Sequence, residues 1–65
     1  MMVVCSHCLM AIESHEGNQW KRKATEEDLE ELGYEVIEDE DSFDTYAKCD
    51  WCEEETDIYD LWVID

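Results

Sequence analysis

Two pairs of cysteines, each with two residues between its members, constrain the fold of this chain more than any other feature. The pairs are Cys5-Ser6-His7-Cys8 and Cys49-Asp50-Trp51-Cys52, and residues 9–48 separate them. Two intervening residues let a tight turn direct both sulfur atoms to one point, and two such turns complete a tetrahedron of thiolates about 2.3 Å from a metal ion. The spacing therefore predicts one metal site, with Cys5, Cys8, Cys49 and Cys52 as its ligands.

Four thiolates would leave no open coordination position, so the predicted site is structural rather than catalytic. Soft thiolate ligands select zinc, iron or Cu(I) over magnesium and calcium. We expect one Zn²⁺ per chain, with iron as the alternative. Two disulfides in any of three connectivities are a further alternative. His7 lies inside a cysteine turn, but the four cysteines already fill a tetrahedron.

The two motifs resemble those of small zinc-ribbon and rubredoxin-like proteins, in which two cysteine turns at the tips of β-hairpins clamp one ion. The resemblance covers the cysteine motifs and the segments beside them, and not the residues between the pairs. Family members commonly carry Pro or Gly after these cysteines, where this chain has Ser6, Leu9, Asp50 and Glu53. The resemblance implies a closed metal site between antiparallel hairpins and, with iron bound, an electron carrier.

A chain of 65 residues forms one domain, residues 1–65, near the lower limit at which an apolar core supports a fold unaided. Structural zinc contributes on the order of 10–16 kcal/mol of apparent binding energy to small peptides. We therefore expect a small metal-stabilised α+β domain that is largely unfolded without its ion.

The local signals predict zinc-ribbon-like antiparallel hairpins with one short helix, at about residues 25–32. Thr25 is the expected N-cap, Asp28 the capping-box partner and Gly33 the residue after the helix. Gly17 marks a turn. Strands are expected at residues 3–4, 9–13, 19–23, 34–37 and 58–64, with 9–13 and 19–23 forming a hairpin. The last strand, apolar on most of both faces, is expected to be central or covered by a loop, with Tyr59, Leu61 and Val63 in the core.

Acidic residues dominate the charge, since the chain has 20 Asp and Glu residues but only four Lys and Arg residues, and its net charge is -16. Such a field favours a basic partner and repels phosphate, so we expect an interaction module with a basic protein partner and no direct binding to nucleic acid. The carboxylates would either imitate a nucleic-acid backbone or dock on a basic protein surface. A solvated, solubilising surface is the simpler interpretation of any single acidic run. Trp51, within a cysteine turn, is expected either to shield the metal or to contact the partner. The candidate contacts are Glu38, Asp39, Glu40, Asp41, Glu53, Glu54, Glu55 and Trp51.

No nucleophile with a paired base and no glycine-rich phosphate loop can be identified, so we do not expect an enzyme. The first residues show no basic leader, and no segment approaches the roughly 20 apolar residues that span a bilayer. These features predict a cytoplasmic protein without membrane association. In the cytoplasm thiols stay reduced, so metal binding is favoured over disulfides. If the C-terminal strand were exposed, it could pair between copies, so either a monomer or a weak dimer is the expected state.

Overall fold

The structure, a computed structural model, describes residues 1–64. Its regular elements follow one another in the order β1 (Met2–Cys5), α1 (Ser6–Glu16), β2 (Lys21–Lys23), α2 (Glu26–Leu32), β3 (Ile37–Glu38), β4 (Thr45–Lys48), β5 (Glu55–Asp57), a 3₁₀ turn (Ile58–Asp60) and β6 (Leu61–Ile64). The strands form two antiparallel three-stranded sheets, so the class is α+β. Within residues 1–64, neither helix is long and apolar enough to cross a membrane.

Strand β6 is the central strand of the first sheet, as its apolar sequence predicts. It pairs with β1 on one side, where Val3 lies opposite Val63, and with β2 on the other, where Arg22 lies opposite the same residue. Leu61 and Val63 are fully buried. A strand that hydrogen-bonds on both edges and packs on both faces requires this nearly continuous apolar run.

The second sheet has the order β3-β4-β5, with β4 in the centre. Tyr46 lies opposite Ile37 on one side and opposite Asp57 on the other. A loop of residues 39–44 connects β3 to β4, and residues 49–54, which hold the second cysteine pair, connect β4 to β5. The two loops therefore lie at opposite ends of β4.

The prediction of a strand at residues 9–13 is wrong, because the first cysteine turn continues directly into helix α1. The Cys5 sulfur accepts a hydrogen bond from the Cys8 amide and caps the helix. Leu9 and Ile12 then face the core. Residues 9–12 are all apolar, whereas a half-buried strand would alternate apolar and polar residues. Gly17 ends the helix at φ 86°, in the region of positive φ that glycine favours.

Helix α1 also removes the hairpin expected between residues 9–13 and 19–23. Strand β2 pairs with β6 instead, and the Ala24 amide continues that pairing by donating to the Leu61 carbonyl. Residues 1–64 thus contain two α-helices, where the sequence predicted one. The first cysteine turn joins a strand to a helix, and only the second lies at the tip of a β-hairpin.

Helix α2 agrees with the sequence prediction in its position, its cap and its end. The Thr25 hydroxyl accepts from the Asp28 amide, and the Asp28 carboxylate accepts from the Thr25 amide in a complete capping box. Gly33 follows the helix in the left-handed conformation, at φ 81°. Leu29 is fully buried and docks this seven-residue helix on the core, as its short length requires.

Three predicted strands are shorter than expected, and the segment 19–23 forms β2 only at Lys21–Lys23. The segment 34–37 contributes only Ile37 to β3, and the segment 58–64 begins with a 3₁₀ turn before β6. The Asp57 carboxylate accepts from the Tyr59 amide and caps this turn. The turn rotates Tyr59 out of the alternation, so its side chain is 75% exposed and the prediction of a core position for it is wrong.

An ion pair ties α2 to the first sheet. Arg22 on β2 donates two hydrogen bonds to the carboxylate of Asp28, which is buried. The Arg22 guanidinium holds the pKa of this carboxyl well below its usual range, since hydrogen bonding to the ionised form outweighs the effect of burial. The same carboxylate accepts from the Thr25 amide, so one side chain connects β2, the cap and the helix.

Replacing Asp28 by alanine should lower the free energy of unfolding by about 2 kcal/mol, because the cap and the partner of Arg22 are lost together. A carboxyl with a lowered pKa stabilises the fold above its unfolded pKa, near 3.9, and loses that effect only as the pH falls towards the folded value. The difference from wild type should therefore be constant between pH 6 and 8. Urea titrations at several pH values measure it.

The matched control is Glu27→Ala, which removes an exposed carboxylate from the same helical turn. We expect a much smaller change for this variant. Equal losses for the two variants would mean that helix propensity and net charge, rather than the Arg22 pair and the cap, account for the effect.

Candidate metal centre

The first cysteine pair lies where strand β1 becomes helix α1. Cys5 is the last residue of the strand and the N-cap of the helix, and Cys8 lies in the first helical turn. Both are buried. The sharp change from extended to helical backbone at Cys5 places the two side chains on the same side of the chain.

The second pair lies in the turn between β4 and β5. Cys49 follows β4, and its amide and carbonyl bond to Glu54 and Glu53 respectively, which closes the turn around Cys52. Glu53 has a φ of 60°, in the left-handed region that favours glycine. The position where zinc-ribbon proteins commonly carry Gly therefore has the backbone conformation that suits Gly, although the residue is Glu.

The fold brings the four predicted ligands together. The sulfur atoms of Cys5, Cys8, Cys49 and Cys52 all lie within 4.8 Å of one another. Tetrahedral zinc with bonds of about 2.3 Å would place its sulfur ligands roughly 3.8 Å apart. The cluster could thus hold a metal ion after small side-chain adjustments, and its four thiolates would suit zinc or iron.

Backbone amides donate to the sulfur atoms, a feature that the sequence did not reveal. The Cys49 sulfur accepts from the amides of Cys5 and Trp51, each at 3.3 Å, and the Cys5 sulfur accepts from the Cys8 amide at 3.5 Å. Such donors stabilise a thiolate without adding a charged group. They form here although Ser6 and Asp50 stand where the related motifs often have Pro.

The thiols of Cys49 and Cys8 differ in the direction in which their pKa is shifted. Burial would raise the pKa of Cys49, but the amides of Cys52, Cys5 and Trp51 outweigh it and lower this pKa to about 7. Burial raises the pKa of the Cys8 thiol, and hydrogen bonds with the other three cysteines raise it further. A bound divalent cation would favour the thiolate at every position.

Asp50 fastens the second cysteine turn to strand β1. Its amide donates to the Val3 carbonyl at 2.9 Å, and its carboxylate accepts from the Val3 amide at 3.3 Å. The Tyr34 hydroxyl bonds to the same carboxylate. These bonds satisfy Val3 on the edge of β1 that does not face β6. The sequence showed a polar residue in the cysteine turn, but it did not indicate that Asp50 would bond to Val3.

The predicted partner-binding residues are all exposed, but they form two separate groups. Glu38 to Asp41 lie at the end of β3 and in the following loop, whereas Glu53 to Glu55 lie after the second cysteine pair. Strand β4 separates them by about 10 Å, given a rise of about 3.3 Å per residue. Trp51 is 60% exposed, so its side chain projects into solvent more than it shields the sulfur atoms.

An open recess of about 360 Å³ lies beside the first of these groups. Phe43, at φ 59° and 91% exposed, forms one wall, and Glu26 at the start of α2 forms another. The buried Thr45 donates to the Glu26 carboxylate at 2.9 Å and fixes its position. Sequence reasoning missed Glu26 and Phe43, because only the packing of α2 beside the β3–β4 connection brings them to the acidic loop.

No protein-family model, curated protein or solved structure matches this chain. The structure shows four clustered cysteines that could bind a metal ion, and the likeness to zinc-ribbon and rubredoxin-like proteins stays an expectation from the cysteine motifs.

Elemental analysis of the natively purified protein should find one zinc ion per chain, with four free thiols under denaturing conditions.

Cys49→Ser should abolish metal binding, because Cys49 is the most buried of the four cysteines and its sulfur accepts two amide hydrogen bonds. His7→Ala should bind the metal normally, since His7 is exposed and outside the cluster. Chelation should remove the near-UV circular dichroism signal. Absence of both metal and free thiols would instead indicate two disulfides.

Glu53→Gly should stabilise the folded protein by up to about 1 kcal/mol. Glycine removes the strain of the left-handed conformation, and its larger loss of backbone entropy on folding offsets only part of that gain. Glu54→Gly is the matched control, since it removes a neighbouring exposed carboxylate at a residue without positive φ. The control should be neutral or destabilising. Thermal unfolding of the metal-loaded proteins measures both, and equal stabilisation would attribute the gain to reduced charge repulsion.

Proposed function

We propose that this chain is a non-catalytic, zinc-stabilised interaction module whose acidic surface binds a basic protein. The uneven distribution of charge is the observation that supports this proposal most. Residues 26–65 carry 18 of the 20 acidic residues and one of the four basic ones. Helix α2 and the second sheet therefore present a strongly negative surface, whereas β1, α1 and β2 come from a segment with almost balanced charge.

Few of these carboxylates are neutralised within the protein. Among residues 1–64 there are two ion pairs, Lys21 with Glu13 and Arg22 with Asp28. The remaining carboxylates repel one another, and a cationic partner would relieve that repulsion while being drawn in by the field. A nucleic acid would be repelled by the same field, so the proposed partner is a protein surface rich in Lys and Arg.

Zinc has a structural role in this proposal. A closed set of four thiolates leaves no position for a substrate, and the ion would link the β1–α1 junction to the β4–β5 turn. The zinc-ribbon-like character belongs to this proposal as well. The setting that we propose is the reducing cytoplasm, where the thiols stay available to the metal.

A rubredoxin-like electron carrier is the second candidate. The amides that donate to the Cys49 and Cys5 sulfurs favour it, because such hydrogen bonds also tune the potential of iron–sulfur sites. The elemental analysis above separates the two candidates. Iron with a reversible redox couple would support the electron carrier, and zinc alone would count against it.

Binding to a Lys- and Arg-rich peptide tests the interaction module. The first acidic group is neutralised by the fourfold variant Glu38→Gln, Asp39→Asn, Glu40→Gln and Asp41→Asn. We expect its affinity to fall by roughly tenfold or more, and wild-type binding to weaken as salt rises, because screening shortens the reach of surface charges. Fluorescence anisotropy with the basic peptide and a neutral peptide of equal length measures both effects.

The control for net charge is a variant with Glu27, Glu30, Glu31 and Glu35 each changed to Gln, which removes the same number of exposed carboxylates elsewhere. A smaller loss in this variant would locate binding at the loop. Equal losses would leave a diffuse electrostatic attraction, and no binding of the basic peptide at low salt would contradict the proposal. Trp51→Ala tests whether the second group also makes contact.

A further inference from the structure

The four sulfur ligands of the proposed site are not equally protected. Cys5, Cys8 and Cys49 are buried, with exposed fractions of 9%, 4% and 1%, whereas Cys52 is exposed. Cys5 and Cys8 lie at the β1–α1 junction and Cys49 directly follows β4, while Cys52 lies in the turn that leads to β5. Any reagent that reaches the cluster from solvent therefore meets Cys52 first.

We propose that Cys52 is a site of oxidation by hydrogen peroxide, and that this oxidation releases the metal. The inference rests on the proposed zinc binding. A metal-bound cysteine is a thiolate, which is the nucleophilic form, and its reactivity is limited by access. Access is the property in which Cys52 differs from the other three ligands.

The chemistry needs a second thiolate, and the cluster supplies three. The Cys52 thiolate attacks one peroxide oxygen, the O–O bond breaks, and hydroxide leaves, which gives a sulfenic acid. A neighbouring thiolate then attacks the Cys52 sulfur, a disulfide forms and a second hydroxide leaves. Two thiolates have lost two electrons, and the peroxide has gained them. All three candidate partners lie within 4.8 Å of the Cys52 sulfur.

The surroundings of Cys52 favour a small neutral oxidant. Glu53, Glu54 and Glu55 follow it directly and are all exposed. Their field repels an anionic thiol reagent and leaves uncharged peroxide unaffected. The dianionic disulfide 5,5′-dithiobis(2-nitrobenzoate) should therefore react slowly at low salt and faster at high salt, while the rate with peroxide should change little.

Loss of the ion would also remove the link between the β1–α1 junction and the β4–β5 turn. A disulfide leaves two thiolates, too few for a closed tetrahedral site, so the zinc should dissociate. The β1–α1 segment and the β4–β5 turn would then be held by the bonds of Asp50 to Val3 and by the core contacts of Ala47 and Cys49, without the link through the ion. Oxidation at Cys52 would thus loosen the second sheet, which carries both acidic groups.

The test uses the full chain loaded with zinc, with its metal content measured first. Peroxide is added in the presence of a chromogenic zinc chelator, and the released zinc is followed with time. Cys52→His keeps a four-ligand site but removes the exposed sulfur, so we expect release at least about tenfold slower than in wild type. Cys8→His also keeps a four-ligand site but retains the exposed Cys52 sulfur, so its release should be clearly faster than that of Cys52→His.

A second measurement needs no variant. After partial oxidation of the wild-type protein, free thiols are blocked and the disulfide is located by peptide mass spectrometry. A disulfide that includes Cys52, reversed by dithiothreitol with renewed zinc binding, supports the inference. A first disulfide without Cys52, no release by peroxide, or equal release from Cys52→His would overturn it. Failure to bind zinc at the loading step would overturn the metal proposal itself, so the two failures are distinguishable.

Discussion

The convergence of four cysteine sulfurs at the junction of two sheets is the interaction on which the rest of this structure depends. Cys5 and Cys8 come from the point where β1 becomes α1, and Cys49 and Cys52 from the turn between β4 and β5. A metal ion at this point would cross-link segments more than 40 residues apart in sequence. Such a link matters in a chain with so small a core and so large a net charge.

The protein backbone supports this junction independently of the metal. Amides donate to the Cys49 and Cys5 sulfurs, and Asp50 uses both its amide and its carboxylate to hold Val3. The Arg22–Asp28 pair provides a similar link on the other side, between β2 and α2. Short elements that could not be stable alone are thereby tied to a common core, which includes Leu29, Leu61 and Val63.

Many of the buried apolar residues and the two exposed acidic groups lie in different parts of the fold. The fully buried residues Val3, Val4, Leu61 and Val63 come from the two strands β1 and β6 of the first sheet. The acidic groups lie on the exposed connections at the two ends of β4, and the recess beside Phe43 lies near one of them. A partner that binds the second sheet would therefore meet exposed carboxylates, while the sheet itself contributes Ala47 and the following Cys49 to the shared apolar core.

The sequence by itself determined the features whose physics is local. The spacing of the cysteines indicated one cluster, and Thr25, Asp28 and Gly33 specified helix α2. The apolar segment 58–64 indicated a central strand, of which residues 61–64 form β6. Tertiary structure decided the rest. The run Leu9–Ile12 suits a buried strand or a buried helix, and docking against the first sheet selected the helix. Asp50 and Phe43 acquired their surroundings from segments distant in sequence, because contacts between such segments exist only once the sheets have assembled.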